Sequence, residues 1–454
     1  MRRRLGNGAW SMRSPESRAW LLRDGDFDGQ RLDCRIRSGV IVAIGPQLIA
    51  DEGDQVLSVS GGAVLPGLAD HHLHLFAMAA GATSLDLTGS SQLDDLREQD
   101  GLGWLRVIGA GAEFKRTELD RRWPDRPVRV GHRSGALWML NSAAIDVVGA
   151  GLTAAERTTG HLWRADSRLR GLLAAAGDAG VPDVASVGAE LAGHGITHVT
   201  DATADLDEAA IELLNSLVPQ HLFTLAETGS GPRKIVLADH ELISLSTLTA
   251  QIRKIHGGGR PVAIHSVTAA TLAIAIAALN QSGSIIGDRI EHAAICDDMA
   301  AEQLAQLNVT VITQPSIIAR NGRRFREEAP ASEHGLLWRY GGLMRAGVTV
   351  SASSDAPYGD ADPWRTIGSA TRRGRESVSP QSVLQSMLSH PQSPGGPARR
   401  LGIGSPADLC VLQQPLDVAL DGMQEYDHVG VAATFISGEL VHANAGILTR
   451  QDVN

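Results

Sequence analysis

Hydrophobic and polar positions change rhythm twice along the chain. From Trp20 to Ser60 short runs alternate between polar and apolar residues, as in Arg31-Leu32-Asp33-Cys34-Arg35-Ile36-Arg37 and Val40-Ile41-Val42-Ala43-Ile44, with polar turns between them. A period of two predicts antiparallel strands with one buried face. The C-terminal stretch returns to this style in Ala407-Asp408-Leu409-Cys410-Val411-Leu412 and in Val431-Ala432-Ala433-Thr434-Phe435-Ile436, followed by Gly438. Both termini are therefore expected to build one small β-sandwich.

Between them, apolar strands alternate with Ala/Leu-rich helical stretches. Thr197-His198-Val199-Thr200 precedes a helix near Asp205 to Leu217, and Pro261-Val262-Ala263-Ile264-His265 precedes one from Ala269 to Leu279. The pattern repeats at Arg289-Ile290-Glu291-His292 with Met299 to Leu307, then at Val309-Thr310-Val311-Ile312 and Val348-Thr349-Val350-Ser351. Such alternation over this length predicts an α/β fold with parallel strands, a (β/α)8 TIM barrel. The expected boundaries are 1–65 and 396–454 for the two parts of the composite sandwich and 66–395 for the barrel. Arg121 to Ala144 fits less simply, with a strand at Pro127-Val128-Arg129-Val130 and a helix expected from Trp138.

Composition narrows the partners. Of 454 residues, 43% are hydrophobic and 20% charged, as in ordinary globular proteins, and the net charge of −10 argues against nucleic acid or an anionic membrane as the main partner. A small-molecule substrate is the expected partner, with a homo-oligomer as a further expectation. The Arg323-Arg324 and Arg372, Arg373, Arg375 clusters read as solvated faces or loops. No apolar segment follows the basic start Met1 to Arg4, so a cytoplasmic location is expected. Cys34, Cys296 and Cys410 form no metal-binding or disulfide pattern and read as small buried residues. Lysine occurs only at Lys115, Lys234 and Lys254, so a lysine in the apolar strand Arg233-Lys234-Ile235-Val236-Leu237 stands out.

The densest chemical signal is Pro66-Gly67-Leu68-Ala69-Asp70-His71-His72-Leu73-His74, read as the end of a strand begun by Ala63-Val64-Leu65. Strand side chains alternate, so His72 and His74 share a face and can share a cation. Other strand ends supply Lys234, His265, His292 and, after Val350-Ser351-Ala352-Ser353-Ser354, Asp355. Catalytic groups of a parallel barrel gather at such C-terminal strand ends.

Together these residues resemble the amidohydrolase superfamily, whose pattern is HxH on strand 1, Lys on strand 4, His on strands 5 and 6 and Asp on strand 8. The order is the same here, and the long interval between His292 and Asp355 leaves room for strand 7. Gly404-Ser405-Pro406-Ala407-Asp408-Leu409 is similar to the family's return into its sandwich. Leu119-Asp120, Arg126-Pro127-Val128 and Asn141-Ser142 resemble the amidohydrolase 3 branch, which includes N-substituted formamide deformylase-like enzymes. That branch carries a Gly- and Ser-rich loop after the strand 4 lysine, where this chain has Asp239-His240-Glu241.

The resemblance implies a hydrolase of carbon-nitrogen bonds in amides, formamides or cyclic amides, using two divalent metal ions, zinc foremost, and a metal-bridging hydroxide. It implies His72 and His74 on one metal, His265 and His292 on the other, an N6-carboxylated Lys234 between them, and Asp355 as both ligand and proton shuttle. Asp70 is expected to support the strand 1 histidines. His132, Arg133, Trp138 and Gln314 are expected to touch substrate. Two other readings compete: a mononuclear hydrolytic deaminase and a non-catalytic metal-binding barrel. The first calls for a Glu shortly after the strand 5 histidine, where Ser266-Val267-Thr268-Ala269 stands; the second predicts a lost ligand, and none is missing.

Overall fold

Eight strands organise the region that carries the strand-end chemistry: β1 (Leu68–Leu73), β2 (Ile196–Asp201), β3 (His221–Thr224), β4 (Arg233–Val236), β5 (Val262–Ser266), β6 (Arg289–His292), β7 (Thr310–Thr313) and β8 (Thr349–Ala352). In the computed structural model, which describes residues 19–87, 92–96, 103–132, 137–163, 165–177, 182–229, 231–237, 243–423 and 429–444, they form two parallel sheets. Their orders are β3-β2-β1 and β4-β5-β6-β7-β8. β1, β2 and β6 are buried at every position, as expected of parallel strands covered on both faces. Helices connect the strands, among them Glu208–Leu217, Leu245–Gly257, Ala269–Ser282 and Asp298–Gln306. Their starts are set by Asp207, Ser244, Thr268 and Asp297, whose side chains accept from backbone N–H groups of the first turn.

Backbone hydrogen bonds join the sheets at both edges. Leu225 N–H donates to Asp201 O at 3.0 Å and Lys234 N–H to Leu225 O at 2.9 Å. At the other edge Asp355 N–H donates to His72 O at 2.8 Å and His74 N–H to Ala356 O at 2.9 Å.

The terminal segments form two four-stranded sheets. One runs Val40–Gly45, Gln30–Arg37, Ala19–Phe27, Asp54–Ser58, and the other Glu439–Ala443, Val431–Ile436, Leu409–Leu412, Val64–Pro66. They share an apolar cluster in which Trp20, Leu22, Cys34 and Ile36 meet Leu409, Val411 and Phe435. The alternation read in Arg31–Arg37 has this cause: Cys34 and Ile36 face the cluster, while Arg35 reaches Asp54 at 2.9 Å. All three cysteines are buried free thiols.

The chain divides into two compact units, one holding the residues up to His74 and from Gly188 onward, the other Leu75–Val187. The second unit contains a five-stranded sheet ordered His161–Trp163, Leu137–Leu140, Val128–His132, Leu105–Ala110, Leu85–Asp86. Its core includes Val107, Phe114, Leu119, Trp123, Val130 and Met139.

Three expectations need correction. Val64–Pro66 is a separate strand that pairs with Leu409–Leu412, so His72 rides on Leu68–Leu73 and His74 directly follows it. Gly67 marks the break, because a Cβ there would stand 2.1 Å from the Thr197 side chain. Trp138 lies in a strand paired to Val128–His132, and the helix starts only at Ser142. Asn141 imposes that start: its side-chain oxygen accepts from Ala144 N–H and Val128 N–H, both at 2.9 Å, and its amide donates to the carbonyls of Trp123 and Arg126. Arg373 is also no simple solvated side chain, since it donates to the carbonyls of Leu337, at 3.0 Å, and Trp338. No helix among the described residues is long and apolar enough to cross a membrane.

Candidate metal centre

β1 delivers His72 as its penultimate residue and His74 just beyond its end. Across the sheet edge, the Asp355 N–H bond to His72 O brings the Asp355 carboxylate beside both rings. Asp355 Oδ1 lies 3.5 Å from His72 Nε2 and 3.4 Å from His74 Nε2. Ligands held roughly 2.0–2.1 Å from a tetrahedral zinc stand about 3.3–3.4 Å apart, so these separations suit a shared ion. His72 Nε2 is buried without a hydrogen-bond partner, a state that an electron-pair acceptor at this point would relieve. The three ligand atoms all lie within 4.8 Å of one another.

His292 and His265 extend the cluster. Ring centroids are 4.8 Å apart for His72 and His292 and 4.6 Å for His265 and His292. His292 Nδ1 donates to Gln314 Oε1 at 2.8 Å, and the Gln314 amide donates to Ser353 Oγ at 2.9 Å. Gln314 is fully buried, with its side chain divided between His292 and Ser353. His292 (φ 72°), Ala293 (φ 45°) and Asp355 (φ 52°) adopt left-handed backbone, which costs of order 1–3 kcal/mol each in non-glycine residues and clusters at functional sites.

Burial holds His72, His265 and His292 below the usual histidine range, and the charge of Lys234 adds to the effect. Neutral imidazole is the form that binds metal. Burial also lowers the Lys234 amine, against the pull of Glu291, Asp355 and Asp201. Its Nζ donates to the carbonyl of Ala202 at 2.6 Å. For Asp355 burial works upward, but the bond with His74 and the nearby His292 and His72 hold the carboxyl below the usual range. Asp70 supports backbone rather than rings: it accepts from His72 N–H at 3.1 Å and Ser354 N–H at 3.3 Å, and burial pushes its carboxyl up to about 6.

Two contributors were not singled out from the sequence. Glu291 accepts from His72 Nδ1, and Arg289 donates to Glu291 Oε1 at 2.5 Å. The available signal was two charges spaced i,i+2 in a short strand that is otherwise apolar before its histidine. Tyr358, 61% exposed, stands edge-on to His74 with centroids 5.9 Å apart. His132 and Trp138 belong to the Leu75–Val187 unit, where Trp138 is half-buried and Arg106 lies over its ring. Arg133 and the Asp239-His240-Glu241 stretch lie outside the described residues.

A second group, His198, His221 and Asp408, also brings ligand atoms together. Here the Arg399 guanidinium donates to His198 Nδ1 at 3.2 Å, so a fixed positive charge already stands against this group. His221 Nε2 bonds Asp408 Oδ1 at 3.0 Å, so the group reads as an ion-pair network.

A sequence model described as the amidohydrolase family matches residues 55–442. The chain belongs to that family. It is 24% identical to an N-substituted formamide deformylase of Arthrobacter pascens, over 86% of this chain and 90% of that protein. Among solved structures it resembles an uncharacterized metal-dependent hydrolase from Pyrococcus furiosus, with TM-score 0.66, 18% identity, and coverage of 87% of this chain and 99% of that one. It also resembles N-isopropylammelide isopropylaminohydrolase from Burkholderia multivorans, with TM-score 0.54, 16% identity, and coverage of 93% and 97%.

Proposed function

We propose that this protein is a metal-dependent amidohydrolase that cleaves a carbon-nitrogen bond in an N-substituted amide or formamide. The observation that carries the reading is the convergence of His72 Nε2 and His74 Nε2 on Asp355 Oδ1, with His72 Nε2 otherwise unpartnered. The Arthrobacter deformylase, similar over most of both chains, supports the formamide class. In this reading β1 to β8 close into a (β/α)8 barrel, the two terminal sheets pack as a sandwich, and the domain boundaries fall at 1–65, 66–395 and 396–454.

His72, His74 and Asp355 would hold one divalent ion, zinc by preference for this donor set, and His265 with His292 a second. When bound, such ions supply Lewis acidity toward water and the substrate carbonyl. Lys234 would join the set as a carbamate, because an ammonium has no lone pair to offer, and burial favours the neutral amine that captures carbon dioxide. Asp355 takes the proton of the attacking water and returns it to the departing nitrogen. The Tyr358 ring offers an apolar wall beside His74 for the N-substituent. A one-ion version has one observation in its favour, the Lys234 amine on the Ala202 carbonyl.

Elemental analysis of protein purified without chelator, paired with a hydrolysis screen of N-substituted formamides, amides and lactams, tests both versions. Close to two ions per chain and amine release are expected. One ion after zinc and bicarbonate supplementation would select the mononuclear version. Absence of metal uptake would sink the proposal.

A further inference from the structure

Glu291 and Arg289 form a charged pair that the proposed reaction does not use. Arg289 is 2% exposed and Glu291 fully buried. Taking two charges out of water costs several kcal/mol per ion, and apolar residues would fill the same space as well or better. Their placement follows from their other partners. Arg289 Nη2 donates to His71 O at 3.1 Å while its Nε engages Glu291 Oε1, which leaves Oε2 facing His72 Nδ1.

Arginine can only donate and a carboxylate can only accept. The proton of His72 is thereby fixed on Nδ1, and the lone pair lies on Nε2, the atom left without a partner beside Asp355. His292 is backed differently, by the neutral amide oxygen of Gln314. Hydrogen bonds to ionised acceptors are roughly twice as strong as neutral ones, and a carboxylate behind a ligating imidazole raises its basicity. Strand alternation alone would send Glu291 and His292 to opposite faces; the left-handed backbone at His292 lets both reach the His72 ring.

We infer that Arg289 and Glu291 are a positioning pair that locks the His72 tautomer and makes the ion bound through His72, His74 and Asp355 the most tightly held in the protein. The inference rests on the metal-centre reading above.

Zinc titration of the full-length apo chain against a chromophoric chelator tests it, with the apo melting temperature recorded for each variant. Glu291→Gln offers one oxygen where two donors need one each, so an N–H must face Arg289 or His72. The tightest zinc step should weaken about 10–100-fold in that variant. Glu291→Asp, which restores the charge, should recover part of the loss. Arg289→Lys keeps a charge but cannot span Glu291 and His71, and should weaken the same step to an intermediate degree even if Glu291→Gln fails to fold. Wild-type zinc affinity in Glu291→Gln and Arg289→Lys would overturn the positioning pair alone. A wild-type chain that takes up no zinc would overturn the metal-centre reading and this inference with it.

Discussion

At the scale of single residues, Asp355 combines more constraints than any other group in the cluster. Its backbone is left-handed, its N–H is tied to His72 O, and one carboxylate oxygen faces two imidazole nitrogens. A side chain fixed so firmly can transfer protons without reorganising. Asp355→Asn keeps the shape and removes the proton acceptor, so kcat should fall by about 10²–10⁴-fold, the usual worth of general acid-base catalysis, with a much smaller change in KM. Steady-state kinetics on a substrate from the hydrolysis screen measures this, and near-normal turnover would remove the role. His71, adjacent to His72, shows how local the distinction is. It points to the opposite face, contacts the Ser386 carbonyl and Ser389 hydroxyl at 3.2 Å, and burial pushes it down to about 3.

At the scale of elements, the ion-pair network of His198, His221, Arg399 and Asp408 ties the starts of β2 and β3 to the segment leading into Leu409–Leu412. Asp408 also accepts from Ser437 N–H at 2.7 Å, next to Val431–Ile436. The hydrogen bond to Asp408 raises the His221 pKa, with burial acting the other way and Arg399 opposing. A histidine whose folded pKa is raised stabilises most below its unfolded value, about 6.5, and that contribution is lost as pH rises through the folded value. His198, lowered to about 3 chiefly by burial, stays neutral throughout this window. The melting-temperature advantage of wild type over His221→Gln should therefore be largest near pH 6 and shrink toward pH 8.5. Differential scanning fluorimetry at fixed ionic strength reads it, and a pH-independent difference would rule out the His221–Asp408 charge pair.

At the scale of the whole molecule, the site is assembled from strand ends in both parallel sheets, so bound metal should brace the edges where they meet. Metal bound only by the folded chain stabilises it by ~2.7 kcal/mol at a free concentration 100 times Kd. Chelation should lower the melting temperature by several degrees, and zinc should restore it in a concentration-dependent way. An identical melting curve with and without chelator, on protein shown to lose its metal, would contradict that coupling.

Alternation, strand-end histidines and the order of Lys234, His265, His292 and Asp355 were legible in the sequence, because each depends on neighbours a few residues away. The same local rules misplaced the strand that carries His72 and put Trp138 in a helix, since Gly67 and Asn141 act through Thr197, Trp123 and Val128, partners the local pattern does not reveal. Gln314 read as a substrate contact, whereas the fold turns its amide onto His292. Leu75–Val187 emerged as a compact unit of its own only from its packing. Glu291 and His72 are 219 residues apart, and only the folding of β1 and β6 into one site makes them hydrogen-bond partners. Sequence periodicity determined which residues end on buried strands; the pairing of those strands decided which imidazole nitrogen is left free.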